Sequence, residues 1–206
     1  MRPRKGFRPP PGHRDPDNST QIWVGSEPPK RIIYFSADAR FRWWLSLAEN
    51  DYVAPQHIAA MGHHGLPLDR DIQLLQLLRE PAGAVVTVFG DLDPDDLLVY
   101  AALSAALNAS SRKPVVEYSG VTSRMLTLAE RTLGKRATDN VTHPLDRREA
   151  ALMRYIRKNS LLDLERLVGA KAASILDSGR RISLDGIVPP LLTFAAARRT
   201  IISWVR

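Results

Sequence analysis

The sequence contains no cysteine, which excludes disulfides and thiolate-held zinc and fits a reducing compartment. It also lacks any run approaching the ~18 apolar residues that a membrane span requires. Arg2 and Arg4 near the start are not followed by an apolar segment, so a secretory signal is not expected. These absences point to a cytoplasmic protein with no membrane partner. Internal repeats are not apparent. What is present is ordinary for a globular chain: 206 residues, 44% apolar and 25% charged, enough to build the core of one domain, or of one domain and a tail.

The charge is unevenly placed. Net charge is +7 with a pI of about 10.0. Residues 1–31 carry +4, residues 32–123 carry −5 and residues 124–206 carry +8. An acidic middle between two basic ends suits a protein that holds a cation centrally and faces phosphates around it. Arginine-rich surfaces also occur without any polyanionic partner, so charge alone leaves both readings open.

Seven of the fifteen prolines fall within residues 1–30, among them Pro9-Pro10-Pro11, with basic residues and little that is apolar. Such a segment buries too little surface to offset its ordering entropy, and the expectation is a mobile basic tail over 1–30. Within it, Ile22-Trp23-Val24 suggests a short edge strand. From residue 31 to 206 the pattern predicts a single α/β domain. Strands are expected at 31–35, 57–61, 84–89 and 114–118, and helices at 39–49, 69–79 and 94–107. Ala84-Val85-Val86-Thr87-Val88-Phe89 is apolar almost throughout, as suits a strand covered on both faces. Strands alternating with helices of this length imply a mostly parallel sheet with flanking helices. The second half predicts helices at 123–133, 146–159, 161–178 and 190–205, with a short strand at 181–184.

The chemistry concentrates at Gly90-Asp91-Leu92-Asp93-Pro94, directly after the apolar strand and at the start of a helix. Alternate residues at a strand end point the same way, so Asp91 and Asp93 can share one hard cation, magnesium or manganese. Helix-start chemistry accounts for part of this pattern. Asp93 is a good N-cap, Pro94 fits the first helical position, and Asp95 and Asp96 suit the positive end of the helix dipole. It explains neither Asp91 nor Gly90. His63-His64 could assist a metal or phosphate, but adjacent histidines project differently. Phe41, Trp43 and Trp44 lie on an amphipathic helix and suit a core better than a base-stacking platform.

Val88-Phe89-Gly90-Asp91-Leu92-Asp93-Pro94, followed by Leu97-Leu98-Val99-Tyr100, resembles the Asp-x-Asp strand of Toprim domains. The similarity is greatest to those of the topoisomerase VI A-subunit type and of the C-terminal domain of the Wadjet anti-plasmid nuclease subunit. The order of elements agrees over roughly residues 31–120. Ile182-Ser183-Leu184-Asp185 resembles the acidic strand that closes such domains. The resemblance implies magnesium held by Asp91 and Asp93, DNA as a partner without sequence specificity, and a place in a larger DNA-processing or defence complex. It also implies a catalytic set of Asp91 and Asp93 with Asp38 or Asp185. Where the family carries a glutamate at the end of the first strand, this chain has Ser36, so a nuclease-type site and a degenerate one both remain open. No winged-helix segment with a catalytic tyrosine is recognisable, and a complete topoisomerase is not expected.

Arg147, Arg154 and Lys158 fall on one side of a predicted helix and are candidates for DNA-backbone contacts. Arg198-Arg199 with Ile201, Ile202, Trp204 and Val205 could mark an interface for a larger partner. Two alternatives stand beside the Toprim-like reading. One is a non-catalytic scaffold whose acidic turn is only a helix cap. The other is a hydrolase of a small phosphorylated or nucleoside substrate.

Overall fold

The computed structural model describes residues 20–49, 56–109 and 114–189. Residues 1–19 of the tail expected over 1–30, and the helix expected over 190–205 with its Arg198-Arg199 pair, lie outside them, while residues 20–24 of that tail form a strand of the sheet. The chain divides into two compact units. The first runs to Phe89 and resumes over Leu98–Glu117; the second comprises Gly90–Leu97 and Tyr118–Val205.

The first unit is built on one five-stranded sheet. Its strands are β1 (Thr20–Val24), β2 (Arg31–Phe35), β3 (Ile58–His63), β4 (Val85–Val88) and β5 (Val116–Tyr118), ordered β1-β3-β2-β4-β5. β2 runs parallel to both β3 and β4, and β1 pairs antiparallel to β3. The α/β architecture with a mostly parallel sheet is therefore as the sequence suggests, including the edge strand at Ile22-Trp23-Val24. The run at 84–89 supplies an interior strand, but the middle of the sheet is β2, whose Ile32, Ile33, Tyr34 and Phe35 are wholly buried. Covering on both faces explains why this strand is apolar at successive positions rather than alternate ones.

The helices α1 (Asp38–Glu49) and α2 (Asp69–Arg79) connect these strands. The chain steps from β2 to β3 in one direction and from β3 past β2 to β4 in the other. Right-handed crossovers then place α1 and α2 on opposite faces of the sheet. Side chains agree with this. Trp23 of β1 meets Trp44 of α1 edge-on, with ring centroids 5.2 Å apart. Thr20, of opposite parity on the same strand, donates its hydroxyl to Asp71 of α2 at 2.6 Å. Phe41 and Trp44 are core residues, as their helical placement suggests, and Trp43 stacks on Phe89 with planes 4° apart. Gly62 on β3 makes the α1 packing possible, because a Cβ there would stand 2.8 Å from the Phe41 side chain.

The second unit is mainly helical. It contains α4 (Ser123–Leu133), α5 (Arg136–Asn140), α6 (Arg147–Lys158), α7 (Leu164–Val168) and α8 (Ala170–Asp177). An antiparallel pair, β6 (Thr142–Pro144) and β7 (Arg180–Ile182), and a 3₁₀ turn, Leu184–Gly186, also belong to it. The helix α3 (Pro94–Leu107) begins among its residues. The start of α6 is fixed reciprocally: Asp146 accepts the Glu149 N–H at 2.7 Å and Glu149 accepts the Asp146 N–H at 2.8 Å. The single helix expected over 161–178 is in fact two. Asp163 caps α7 by accepting the Arg166 N–H, and Gly169 adopts φ 82°, outside the helical basin, between α7 and α8.

Candidate metal centre

The chain leaves β4 with the Phe89 N–H donating to the Tyr34 carbonyl at 2.9 Å. The following turn is held by backbone groups of its own unit. Leu92 forms an isolated antiparallel bridge with Ile182, with N–H···O distances of 3.0 and 3.2 Å. Leu92 is wholly buried, and strand alternation turns the flanking Asp91 and Asp93 away from it. Both aspartates are themselves buried, 6% and 7% exposed, and Asp96 on the first turn of α3 is 4% exposed. One carboxylate oxygen from each of Asp91, Asp93 and Asp96 lies within 4.8 Å of the others.

Each carboxylate also organises backbone. Asp93 Oδ1 accepts the Asp96 N–H at 2.8 Å, the N-cap bond expected of an aspartate before Pro94. Asp96 Oδ2 accepts the Asp91 N–H at 2.5 Å. Asp91 Oδ1 accepts the Leu184 N–H at 2.7 Å, tying the turn to the 3₁₀ segment after β7. Tyr118 donates its hydroxyl to the Asp91 carbonyl at 2.6 Å. Gly90 has a steric reason, since a Cβ there would stand 2.6 Å from Asp96 Oδ2 and block the reach of that carboxylate. Gly120 likewise passes close to the Gly90 carbonyl and the Tyr118 hydroxyl, where a Cβ would not fit. The two residues that helix capping leaves unexplained, Gly90 and Asp91, thus both have structural partners.

The sequence-derived site residues fall as follows. Asp91 and Asp93 come together, and the third carboxylate beside them is Asp96, which the sequence assigns only to the helix dipole. Asp96 stands three residues after the Asp93 cap, but its carboxylate accepts the Asp91 N–H rather than that of Asp93, so a local capping pattern does not signal its role. Asp185 is exposed on the 3₁₀ turn, next to Leu184 whose N–H Asp91 accepts. Asp38 is the first residue of α1 in the sheet unit. Ser36, also in that unit, is buried and accepts a hydrogen bond from Arg40 Nη1 at 3.1 Å. His63 is wholly buried and His64 exposed, so the adjacent pair does not act together. His63 Nδ1 instead lies 3.3 Å from the Thr20 hydroxyl and 3.6 Å from Asp71 Oδ2.

The basic helix belongs to the same unit as the acidic turn. Arg148 of α6 donates to Asp95 Oδ1 at 2.7 Å, which joins α6 to the start of α3. Arg157 pairs with Asp177, and Arg181 with the buried Glu149 at 3.2 Å. Arg147, Arg154 and Lys158 are exposed and form no ion pair among the described residues. Their spacing of seven and four residues puts them on one stripe about 16 Å long, at 1.5 Å of rise per residue. Elsewhere in this unit, a hydrogen bond from Lys171, helped by one from Thr138, holds the Glu130 carboxyl below the usual carboxylate range.

Compared with protein-family models and with curated proteins, the sequence matches none.

Proposed function

We propose that this chain binds a divalent cation through Asp91, Asp93 and Asp96 and contacts DNA phosphates through Arg147, Arg154 and Lys158. In this reading it is a Toprim-like module working inside a larger DNA-processing or defence complex. The supporting observation is the gathering of three buried carboxylates with oxygens within 4.8 Å of one another. Like charges so close in a poorly hydrated place repel, and a bound cation relieves that repulsion. The spacing suits a hard ion. Oxygens on opposite sides of octahedral magnesium stand about 4.2 Å apart, and around calcium about 4.6–5.2 Å, from their usual bond lengths. Only one pair of three ligands can be opposite, and adjacent oxygens around magnesium stand about 3.0 Å apart, so the carboxylates would close inward on the ion. The cation would supply charge neutralisation toward a bound phosphate, and the cationic stripe would hold the duplex by its backbone without reading bases.

The test is thermal stability with and without magnesium, manganese or calcium. A tenfold excess of cation over its dissociation constant stabilises by about 1.4 kcal/mol. Asp91→Asn keeps an oxygen for the Leu184 N–H while removing charge, so it should fold and lose the increment. Absence of a metal-dependent shift in wild type at millimolar cation overturns the reading.

A second reading has its own support in the three backbone hydrogen bonds accepted by these same carboxylates. In it the cluster is a staple joining the start of α3 to the segment after β7. It predicts that Asp91→Ala, which leaves the Leu184 N–H without its acceptor, costs about 1–3 kcal/mol. Asp91→Asn should cost little, and neither effect should depend on metal.

A further inference from the structure

β1 pairs with β3 on one side and, among the described residues, with no strand on the other. Natural edge strands are usually blunted by charge, proline, a bulge or extreme shortness. β1 has none of the first two: Thr20-Gln21-Ile22-Trp23-Val24 is uncharged and free of proline. It is the longer of the two outer strands, five residues against the three of β5. It also carries two of the large apolar side chains most open to solvent, Ile22 at 42% and Val24 at 47%.

The hydrogen-bond parity of the strand adds a second, independent observation. The Gly25 N–H donates to the Ile58 carbonyl at 3.0 Å and the Glu27 N–H to the Gln56 carbonyl at 3.0 Å. Gly25 is thus in a hydrogen-bonded position opposite β3, and alternation carries the same orientation to Trp23 and Gln21. The N–H and C=O groups of Thr20, Ile22 and Val24 therefore face the open edge. The residues with outward backbone groups are the ones with exposed apolar side chains. The strand is held firmly to present them, with Trp23 against Trp44 and Thr20 hydrogen-bonded to Asp71.

We propose that β1 is a self-association edge, on which a second copy of this chain pairs antiparallel about a twofold axis at Ile22. A second copy fits better than a charged or basic peptide because the strand complements itself. Ile22 would face Ile22 of the other copy and Thr20 would face Val24, with no charge opposed. The arrangement forms about six main-chain hydrogen bonds from three hydrogen-bonded pairs. Association stops at two, because the remaining outer strand, β5, is only three residues long and carries Glu117. A five-residue strand buries far less than the roughly 1,200 Å² of a standard interface, so the dimer is weak and reversible.

The experiment is sedimentation equilibrium of the full chain from micromolar to near-millimolar concentration, together with cysteine cross-linking. With no native cysteine, Ile22→Cys should be joined into a covalent dimer in high yield by a short bismaleimide, since directly opposed Cα atoms stand about 5.5 Å apart. Val24→Cys, whose opposite number is Thr20, should cross-link at least tenfold less. Ile22→Lys, on an exposed position, should leave the thermal midpoint near wild type and abolish the concentration-dependent dimer. A chain that stays monomeric throughout overturns the proposal and leaves the edge to a strand from a different protein. A dimer that forms without the Ile22→Cys cross-link, or that survives Ile22→Lys, overturns it as well.

Discussion

At the scale of single residues the acidic turn depends on what is missing from Gly90 as much as on its carboxylates. Asp96 reaches the Asp91 N–H across the space a side chain at Gly90 would fill, with Oδ2 2.6 Å from that Cβ position. Gly90→Ala must displace the carboxylate, leaving a buried N–H to find another acceptor. Overpacking of this kind costs about 1–3 kcal/mol. In a chain of this length each kcal/mol moves the midpoint by about 2–4 °C, so calorimetry should show a fall of several degrees. An unchanged midpoint would mean that the Asp96 bond contributes nothing. The same geometry shows why the site was only partly legible in sequence. Asp91 and Asp93 could be paired because strand alternation is local. The Leu184 N–H on Asp91 and the close pass of Gly120 join residues far apart in the chain, and no periodicity records them.

At the scale of elements, local signals worked where a helix or strand is set by its own residues. The helices over Asp69–Arg79, Pro94–Leu107 and Ser123–Leu133 have the limits their apolar spacing and first-turn residues indicate. The helix expected over 146–159 is present as Arg147–Lys158, but the pattern misleads over 134–145 and 161–178, where short elements are set by contacts instead. α5 and β6 have three to five residues and no period to detect, and Gly169 breaks a pattern that reads as one helix. The break is required by packing too: a Cβ on Gly169 would meet Ser123 Oγ at 2.6 Å, and that Oγ accepts the Ala172 N–H at the start of α8. α4 and α8 are further joined by Lys171 and Glu130. The folded state lowers the Glu130 pKa, first through the Lys171 hydrogen bond. A depressed carboxyl contributes stability above its unfolded value, about 4.3, and loses it as pH falls through the folded value. Wild type should therefore melt slightly above Glu130→Gln at pH 6, with the gap closing below about pH 4. The gap should be small, because the pair is partly exposed and water screens it. A gap that widened on acidification would contradict the assignment.

At the scale of the whole molecule the feature with the widest reach is charge. A net +7 with sixteen basic residues beyond position 123 predicts association with nucleic acid that is driven by counterion release and indifferent to sequence. The structure narrows which charges are available. Arg148, Arg157 and Arg181 are engaged with Asp95, Asp177 and Glu149. Arg147, Arg154 and Lys158 are the exposed cations of α6 with no ion pair among the described residues, so these are the residues whose removal should register. Each phosphate contact contributes about 0.9 to the slope of log K against log salt on duplex DNA. Replacing all three by alanine should therefore flatten the slope by about 2.7 if every one meets a phosphate. The loss of affinity should be equal on unrelated sequences and should shrink as salt rises. The fold should tolerate the change, since the apolar face of α6 rests on Leu152, Met153 and Ile156 and its start on Asp146 and Glu149. Fluorescence anisotropy over a salt series, with two unrelated duplexes, measures both quantities. A triple variant with the wild-type slope would remove α6 from the interface. A loss confined to one duplex would show base reading, which three long cations on a solvated stripe do not explain.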